Sequence, residues 1–348
     1  MPKKLKVAVI GAGRIGKIHA TNLATRLPDA ELCAISDVRL ESAQDAAKAL
    51  RVPKAISDYH DFLKSPDIDA VVICSPTDTH ARIIEEAAAA GKHIFCEKPI
   101  DLDLGVIHKA LAAVAKAKVK FQVGFNRRFD PSFAKAAETV RAGKVGAPHL
   151  VRITSRDPAP PPLDYVKVSG GIFLDMTIHD FDMARYLLND EIDEVTAIGS
   201  CLVDAAIGKA GDVDTAVVTL RYRGGAFGAI DNSRRAVYGY DQRVEVFGSK
   251  GCVTVSNSTP TNAGIWDASG QHRDLPLNFF LERYQDAYLA EMKGFVAAVL
   301  GGKTTPVTGD DGLQAVLLGL AAKKSLELNR PVKISEVAGH GIKGRVAS

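Results

Sequence analysis

An α/β protein of two parts is predicted: a doubly wound parallel sheet over residues 1–124, and an α+β domain with a largely antiparallel open sheet over residues 125–348. Three observations carry this. Short apolar runs alternate with helix-patterned segments in the first part. Beyond it, strand-like runs follow one another at short spacing with turn signals between some of them. At 348 residues the chain is also longer than one ordinary core supports.

In the first part, LKVAVI (5–10), AELCAIS (30–36), DAVVICS (69–75), KHIFCE (92–97) and VKFQVGF (119–125) read as strands. Several are apolar throughout, as strands buried on both faces are, so helices should cover both sides of the sheet. IGKIHATNLATRL, RLESAQDAAKAL, THARIIEEAAAAG and LGVIHKALAAVAKA supply those helices. After residue 125, a helix PSFAKAAETVRAG precedes a strand HLVRITSRD, a Pro-rich loop DPAPPPLDY, and a helix through GGIFLDMTIHDFDMARYLL (170–188). VTAIGSCLV, TAVVTLRYR, AFGAIDNSR, QRVEVFGS and CVTVS then read as strands. Two late helices, RYQDAYLAEMKGFVAAVL and GDDGLQAVLLGLAAKKSLEL, can pack back on the first domain.

Composition narrows the function classes. With 46% hydrophobic and 24% charged residues the chain is an ordinary globular one, and its net charge of +3 and scattered Lys and Arg give no case for nucleic acid. The basic stretch MPKKLK is short and runs straight into a strand. No apolar run approaches the roughly 20 residues a bilayer needs, and no signal peptide is visible, so a cytoplasmic protein without membrane contact is expected. Cys33, Cys74, Cys96, Cys201 and Cys252 form no CxxC and read as reduced thiols.

VAVIGAGRIGKIHA places Gly11, Gly13 and Gly16 in a GxGxxG that leaves a strand and enters a helix. Such glycines allow a tight turn, close approach of a pyrophosphate, and close helix packing, and the helix start at Arg14 and Ile15 offers backbone N–H groups to the phosphates. Asp37 closes the second strand, where an acid accepts hydrogen bonds from the adenosine ribose and repels a 2′-phosphate; NAD is preferred to NADP. Arg39, two residues on, is the reservation, since an arginine can receive that phosphate. Ser75, Thr77 and His80 lie at or just beyond a further strand end and are expected to face the nicotinamide half, although Ser-Pro-Thr also suits a plain helix cap. Glu97 and Lys98 end the strand before Pro99, placing a partly desolvated lysine beside the cofactor.

GAGRIG, SPTDTH, EKPI and GGIFLDMTIHDFDMARYLL together resemble the oxidoreductase family named after glucose-fructose oxidoreductase and inositol dehydrogenase (Gfo/Idh/MocA), over nearly the whole chain. FNRRFDP, ITSRDPAPPP, GDVDTAVVTLRY and IDNSRRAVYGYDQRVEVFGSKG look most like the bacterial inositol 2-dehydrogenases of that family. The resemblance implies an N-terminal Rossmann domain, a C-terminal domain whose open sheet mediates oligomers, here a homotetramer, and a catalytic Lys, Asp and His. The matching residues are Lys98, Asp175 and His179.

That set suits oxidation of a secondary alcohol. A histidine, with its unperturbed pKa near 6.5, can take the hydroxyl proton while hydride leaves the same carbon. Asp175, one helical turn earlier, orients the imidazole or contacts substrate, and Lys98 stabilises alkoxide character. Asp182, at i+7 from Asp175, reads as a structural partner of an arginine such as Arg185. The three groups on one helix stripe also match a metal-ligand pattern, but no further His or Cys cluster supports it and no metal is expected. Arg127, Asp157, Met176, Tyr238 and Tyr240 are candidate substrate contacts, and Arg128 a candidate cofactor contact. The function implied is NAD-dependent oxidation of myo-inositol to 2-keto-myo-inositol (scyllo-inosose) in inositol catabolism. The rivals are an NAD(P)-dependent dehydrogenase of scyllo-inositol or an aldose and, from another class, a non-catalytic NAD-binding regulator.

Overall fold

The computed structural model describes residues 4–338, so the start of the basic stretch MPKKLK lies outside the described residues. The chain forms two compact units: one up to Phe129 together with Asp286–Gln314, the other Asp130–Gln285 together with the chain from Ala315 onward. The sequence boundary after residue 124 assigns Asp286–Gln314 to the second part, whereas its contacts place it with the first. The reason is core packing: Met292, Phe295 and Val296 of the helix Gln285–Leu300 join the cluster of Val7, Val9, Leu23, Val72 and Phe95.

In the first unit, β1 (Leu5–Ile10), β2 (Ala30–Ser36), β3 (Lys54–Ile56), β4 (Ala70–Ile73), β5 (His93–Glu97) and β6 (Phe121–Gly124) form one sheet in the order β3-β2-β1-β4-β5-β6. All its pairings are parallel. The order reverses direction between β1 and β4, which creates the crevice at the carboxyl ends where such sheets bind ligands. Every residue of β4 is buried, as its unbroken apolar run requires. The short β3 escapes the sequence reading because its three residues are half-buried or exposed and carry no period.

In the second unit, β7 (Pro148–Arg156), β8 (Ile192–Ser200), β9 (Thr215–Tyr222), β10 (Phe227–Ser233), β11 (Asp241–Gly248), β12 (Gly251–Val255) and, after a separate exposed hairpin β13 (Gly264–Asp267) and β14 (Gly270–Arg273), β15 (Val332–Lys333) are arranged as β12-β11-β7-β10-β9-β8-β15 plus the isolated pair. Only β7 and β10 pair in parallel; the other neighbours are antiparallel. Along β9 the burial alternates, with Ala216, Val218, Leu220 and Tyr222 inside. One face therefore packs against the unit's own helices, while Ile198, Val217, Phe227 and Phe247 remain exposed on the other.

A polar cluster lies in the core of the first unit. His19, of the first helix, hydrogen-bonds through Nε2 to Oε1 of Glu97 at 2.7 Å and lies 3.8 Å from Oε1 of Glu291. Gly124, opposite Glu97 in the β5–β6 register, makes room for that carboxylate: a Cβ there would sit 3.0 Å from it. Neither carboxyl oxygen of Glu291 has a protein hydrogen-bond partner. Burial, reinforced by the nearby Glu97 charge, pushes the Glu291 carboxyl well above its ordinary pKa. Its raised folded-state pKa means the folded protein keeps a proton that the unfolded chain releases. Stability from this group is thus complete below the unfolded pKa of about 4.3 and is lost as pH rises toward the folded value. Glu291→Gln, neutral at every pH, is expected to flatten the fall in stability between about pH 5 and 8; urea melts of both proteins across that range check it, and parallel pH profiles would refute it.

Candidate active site

In the first unit the glycine loop is set by contacts that exclude side chains. Gly11 has φ +100°, and a Cβ on it would lie 2.6 Å from the Cys74 carbonyl. A Cβ on Gly16 would lie 1.8 Å from the Gly11 carbonyl oxygen. Gly13 differs: a Cβ there meets nothing within 4 Å. Two glycines close the turn and the third leaves open space at the helix start, where a pyrophosphate needs room. Gly13 caps the helix Arg14–Thr25 without a side-chain acceptor, and no acid occupies its first turn. The helix start is left to an anion.

Asp37 is fixed beside this loop. Its Oδ2 accepts from the Ala12 N–H at 2.8 Å and its Oδ1 from the Arg39 N–H at 2.9 Å. The Arg39 side chain itself is 78% exposed, with Nε 4.0 Å from the same carboxylate. At the end of β4, Ser75 Oγ shares a hydrogen bond of 2.6 Å with Thr79 Oγ1, and Thr77 opens a helix whose N-cap, Pro76, makes no side-chain cap. His80 is buried, its Nδ1 2.8 Å from the Pro99 carbonyl and its Nε2 2.8 Å from the Ser75 carbonyl. Burial lowers its pKa although both carbonyls favour the charged form; the neutral ring donates to one of the two carbonyls and only the protonated ring to both. Lys98 follows Glu97 and is half-buried. Arg127 is buried in a short 3-10 turn (Asn126–Phe129), and Arg128 donates through Nη2 to Asp311 Oδ1 at 2.9 Å.

In the second unit the expected single helix over 170–188 is interrupted. It runs as Ile172–Asp175 and Ile178–Leu188, with Met176 and Thr177 between them. Thr177 causes the break: its hydroxyl donates to the Ile172 carbonyl at 3.2 Å and to Asn232 Oδ1 at 2.6 Å, competing with the backbone ladder. Asn232 in turn donates to Asp180 Oδ2 at 2.8 Å. Strand β10 thereby fixes the start of the second helix, and with it His179, which is half-buried. Asp175 closes the first helix and His179 lies in the first turn of the second, and both residues between the two helices keep right-handed helical dihedrals. Asp182 is buried, and Arg185 forms an ion pair with Glu191 at 2.6 Å.

Asp175 is held at both oxygens. Tyr165 donates to Oδ1 at 2.8 Å, and Arg234 Nη1 donates to Oδ2 at 2.9 Å. The same Nη1 lies 3.7 Å from Asp157 Oδ2. Arg234 thus joins two of the residues singled out from the sequence, Asp157 and Asp175; the sequence reading passed over it and Tyr165. Its one signal was an Arg-Arg doublet directly after a strand. Met176 is buried next to Asp175 in the chain. Tyr238 donates to Asp241 Oδ2 at 2.6 Å and accepts from Arg156 Nη1 at 3.0 Å. Tyr240 is buried edge-on against Phe279 and Tyr284.

A parallel sheet in this strand order, with a glycine turn shaped for a pyrophosphate and an anchored acid at the end of β2, defines a dinucleotide-dependent oxidoreductase. More narrowly, the chain belongs to the GFO/IDH/MocA family: residues 5–125 match its oxidoreductase model with an NAD-binding Rossmann fold, and residues 133–254 match its C-terminal domain. It is 55% identical to the myo-inositol 2-dehydrogenase of Thermotoga maritima, over 96% of this chain and 100% of that one. A crystal structure of a probable dehydrogenase from Thermotoga maritima superposes with a TM-score of 0.94 at 56% identity, covering 96% of this chain and 100% of the other. The scyllo-inositol dehydrogenase of Lactobacillus casei, solved with NAD(H) and scyllo-inositol, superposes with a TM-score of 0.88 at 36% identity, covering 95% and 99%. The cofactor is NAD, in keeping with the NAD-binding family model that residues 5–125 match and with the acid at Asp37.

The two glycines make opposite predictions. Gly16→Ala must push backbone against backbone and is expected to cost about 3 kcal/mol of stability. Gly13→Ala is expected to cost no more than about 1 kcal/mol and to weaken NAD binding at least tenfold. Urea midpoints and calorimetric titration with NAD separate the two effects; equal behaviour of both variants would refute the division of roles.

Proposed function

We propose that this chain is an NAD-dependent inositol 2-dehydrogenase that oxidises myo-inositol to 2-keto-myo-inositol. The observation that carries the reading is 55% identity to a myo-inositol 2-dehydrogenase along almost the entire chain. Lys98, Asp175 and His179 are the residues we assign to the chemistry. Bound NAD supplies the hydride acceptor, and Gly11, Gly13, Arg14, Ile15, Gly16 and Asp37 would hold it. His179 accepts the hydroxyl proton, the general-base role that imidazole most often fills. The Lys98 ammonium stabilises the developing alkoxide. Asp175, seated between Tyr165 and Arg234, contributes a fixed carboxylate that accepts a hydrogen bond from the substrate or the imidazole.

A second reading, oxidation of scyllo-inositol, is favoured by the likeness to the Lactobacillus casei enzyme. The two substrates differ in the orientation of one ring hydroxyl. A purely sensory role is disfavoured, because an NAD sensor has no use for a lysine, a histidine and an anchored carboxylate together.

We further propose a homotetramer in the cytoplasm, assembled through the open face of the second sheet. The exposed Ile198, Val217, Phe227 and Phe247 support that surface, and no described helix is long and apolar enough to cross a membrane. Light scattering at the mass of four chains, reduced by Phe227→Glu with Phe247→Glu, tests it; a monomeric wild type refutes it.

Turnover is tested by NADH absorbance with myo-inositol, scyllo-inositol, glucose and xylose, with NAD compared against NADP. Lys98→Ala and His179→Ala are each expected to lower kcat by about 100-fold or more while NAD still binds. Absence of turnover with any inositol would defeat the substrate assignment, and near-normal kcat in either variant would defeat the assignment of that residue.

A further inference from the structure

Arg234 follows β10, and its side chain is only 2% exposed. Nη1 meets Asp175 Oδ2 at 2.9 Å and Asp157 Oδ2 at 3.7 Å. Asp212 contributes a third negative charge in the surroundings, and Tyr165 faces Asp175 from the other side. The Nε and Nη2 groups of Arg234 are buried without a protein acceptor. That pattern does not suit a residue kept for stability. Desolvating a guanidinium costs several kcal/mol, recovered only when its donors are well used, and replacing a whole buried ion cluster by apolar side chains of similar volume is often as stable or more so. What an apolar side chain cannot supply is a permanent positive charge between two carboxylates.

We infer that Arg234 is a positioning residue: it holds Asp175 and Asp157 side by side as ionised acceptors for two hydroxyls of one polyol ring. This rests on the reading of the site as a polyol dehydrogenase and deepens it. Without the guanidinium, two neighbouring carboxylates repel and one of them takes up a proton. A protonated carboxyl donates where the site needs an acceptor, and it no longer has a fixed orientation. With the guanidinium present, both acids can stay ionised and aligned, and a substrate bearing adjacent hydroxyls is selected over one bearing a single hydroxyl. Asp212 adds negative charge on the same side, and so strengthens the tendency of the pair to protonate once Arg234 is removed.

The test compares wild type, Arg234→Met and Arg234→Lys in kcat/KM from pH 5 to 10, with the urea midpoint and the NAD affinity measured on each. Arg234→Met is expected to lose about 100-fold in kcat/KM, the scale of a lost charged hydrogen-bonding group at a reacting centre. Its acid limb should move up by at least one pH unit, with NAD affinity unchanged. Arg234→Lys should restore the acid limb and recover about tenfold of the loss. If the Met variant does not fold, Arg234→Gln, neutral and still able to donate, gives the same comparison. An unshifted acid limb, or a loss of activity that tracks a lower urea midpoint, overturns the proposal. Wild-type turnover on the substrate panel judges the substrate assignment separately: the ratio of variant to wild type is taken on whichever polyol is oxidised, and oxidation of none overturns both.

Discussion

The cofactor end of this protein depends on a backbone contact with no space for a side chain. Gly16, one turn into the first helix, lies against the Gly11 carbonyl, and Gly11 lies against the backbone of Cys74 at the end of β4. Because the helix can come so close to the sheet, the Ala12 N–H reaches the Asp37 carboxylate at 2.8 Å, and His19, one turn further along, reaches Glu97 at 2.7 Å. The acid expected to read the ribose and the strand end that carries Lys98 are therefore both referenced to one helix. Any widening of the glycine contact would be transmitted to both.

The second unit solves a different problem, presenting charged groups from a mostly apolar segment. Ile172, Phe173, Leu174, Ile178 and Phe181 are buried, so the segment is anchored by its own apolar side chains. Hydrogen bonds from outside set where the backbone breaks. Asp212 accepts from the Ile172 N–H at 3.0 Å, beside Gly171 with its φ of +81°. Asn232 takes the Thr177 hydroxyl and bonds Asp180. Asp175, at the end of the first helix, meets Tyr165 and Arg234. Residues 212, 232 and 234 all flank or belong to the central strands of the sheet, so the sheet acts as the reference frame for the helix pair.

This explains which features were legible in the sequence. The strands with unbroken apolar runs, such as AVVI at Ala70–Ile73, announce burial on both faces, and alternation along TAVVTLRY announces a half-exposed sheet. GxGxxG with an acid after the second strand is a local pattern, because turn, helix start and strand end are neighbours in the chain. The three-residue β3 and the exposed hairpin at residues 264–273 have no apolar period and left no trace. The break at Thr177 was hidden because the group that causes it, Asn232, is 55 residues away. Arg234 is 59 residues from Asp175 and His19 is 78 from Glu97; no local spacing rule can join such pairs. Motifs therefore gave the candidate residues, and tertiary contacts gave the groups that hold them.

Two buried acids show how one physical rule yields opposite outcomes. Glu291 is enclosed, with only His19 at 3.8 Å as an ionisable partner among the described residues and with Glu97 nearby, and burial raises its carboxyl pKa well above the ordinary value. A neutral carboxyl is tolerable there, since that site lies within the core and needs only to fill space beside His19. Asp175 is nearly as enclosed, at 12% exposure, but meets a guanidinium at 2.9 Å. A carboxylate so placed is spared the choice between an uncompensated charge and a proton. The protein thus bears the cost of a second buried ion at Asp175 and not at Glu291. A dedicated cation does not by itself mark Asp175 out, since the buried Asp130 and Asp241 are paired with Arg283 and Arg243 as well; Asp175 differs from Glu291 in having such a partner at all.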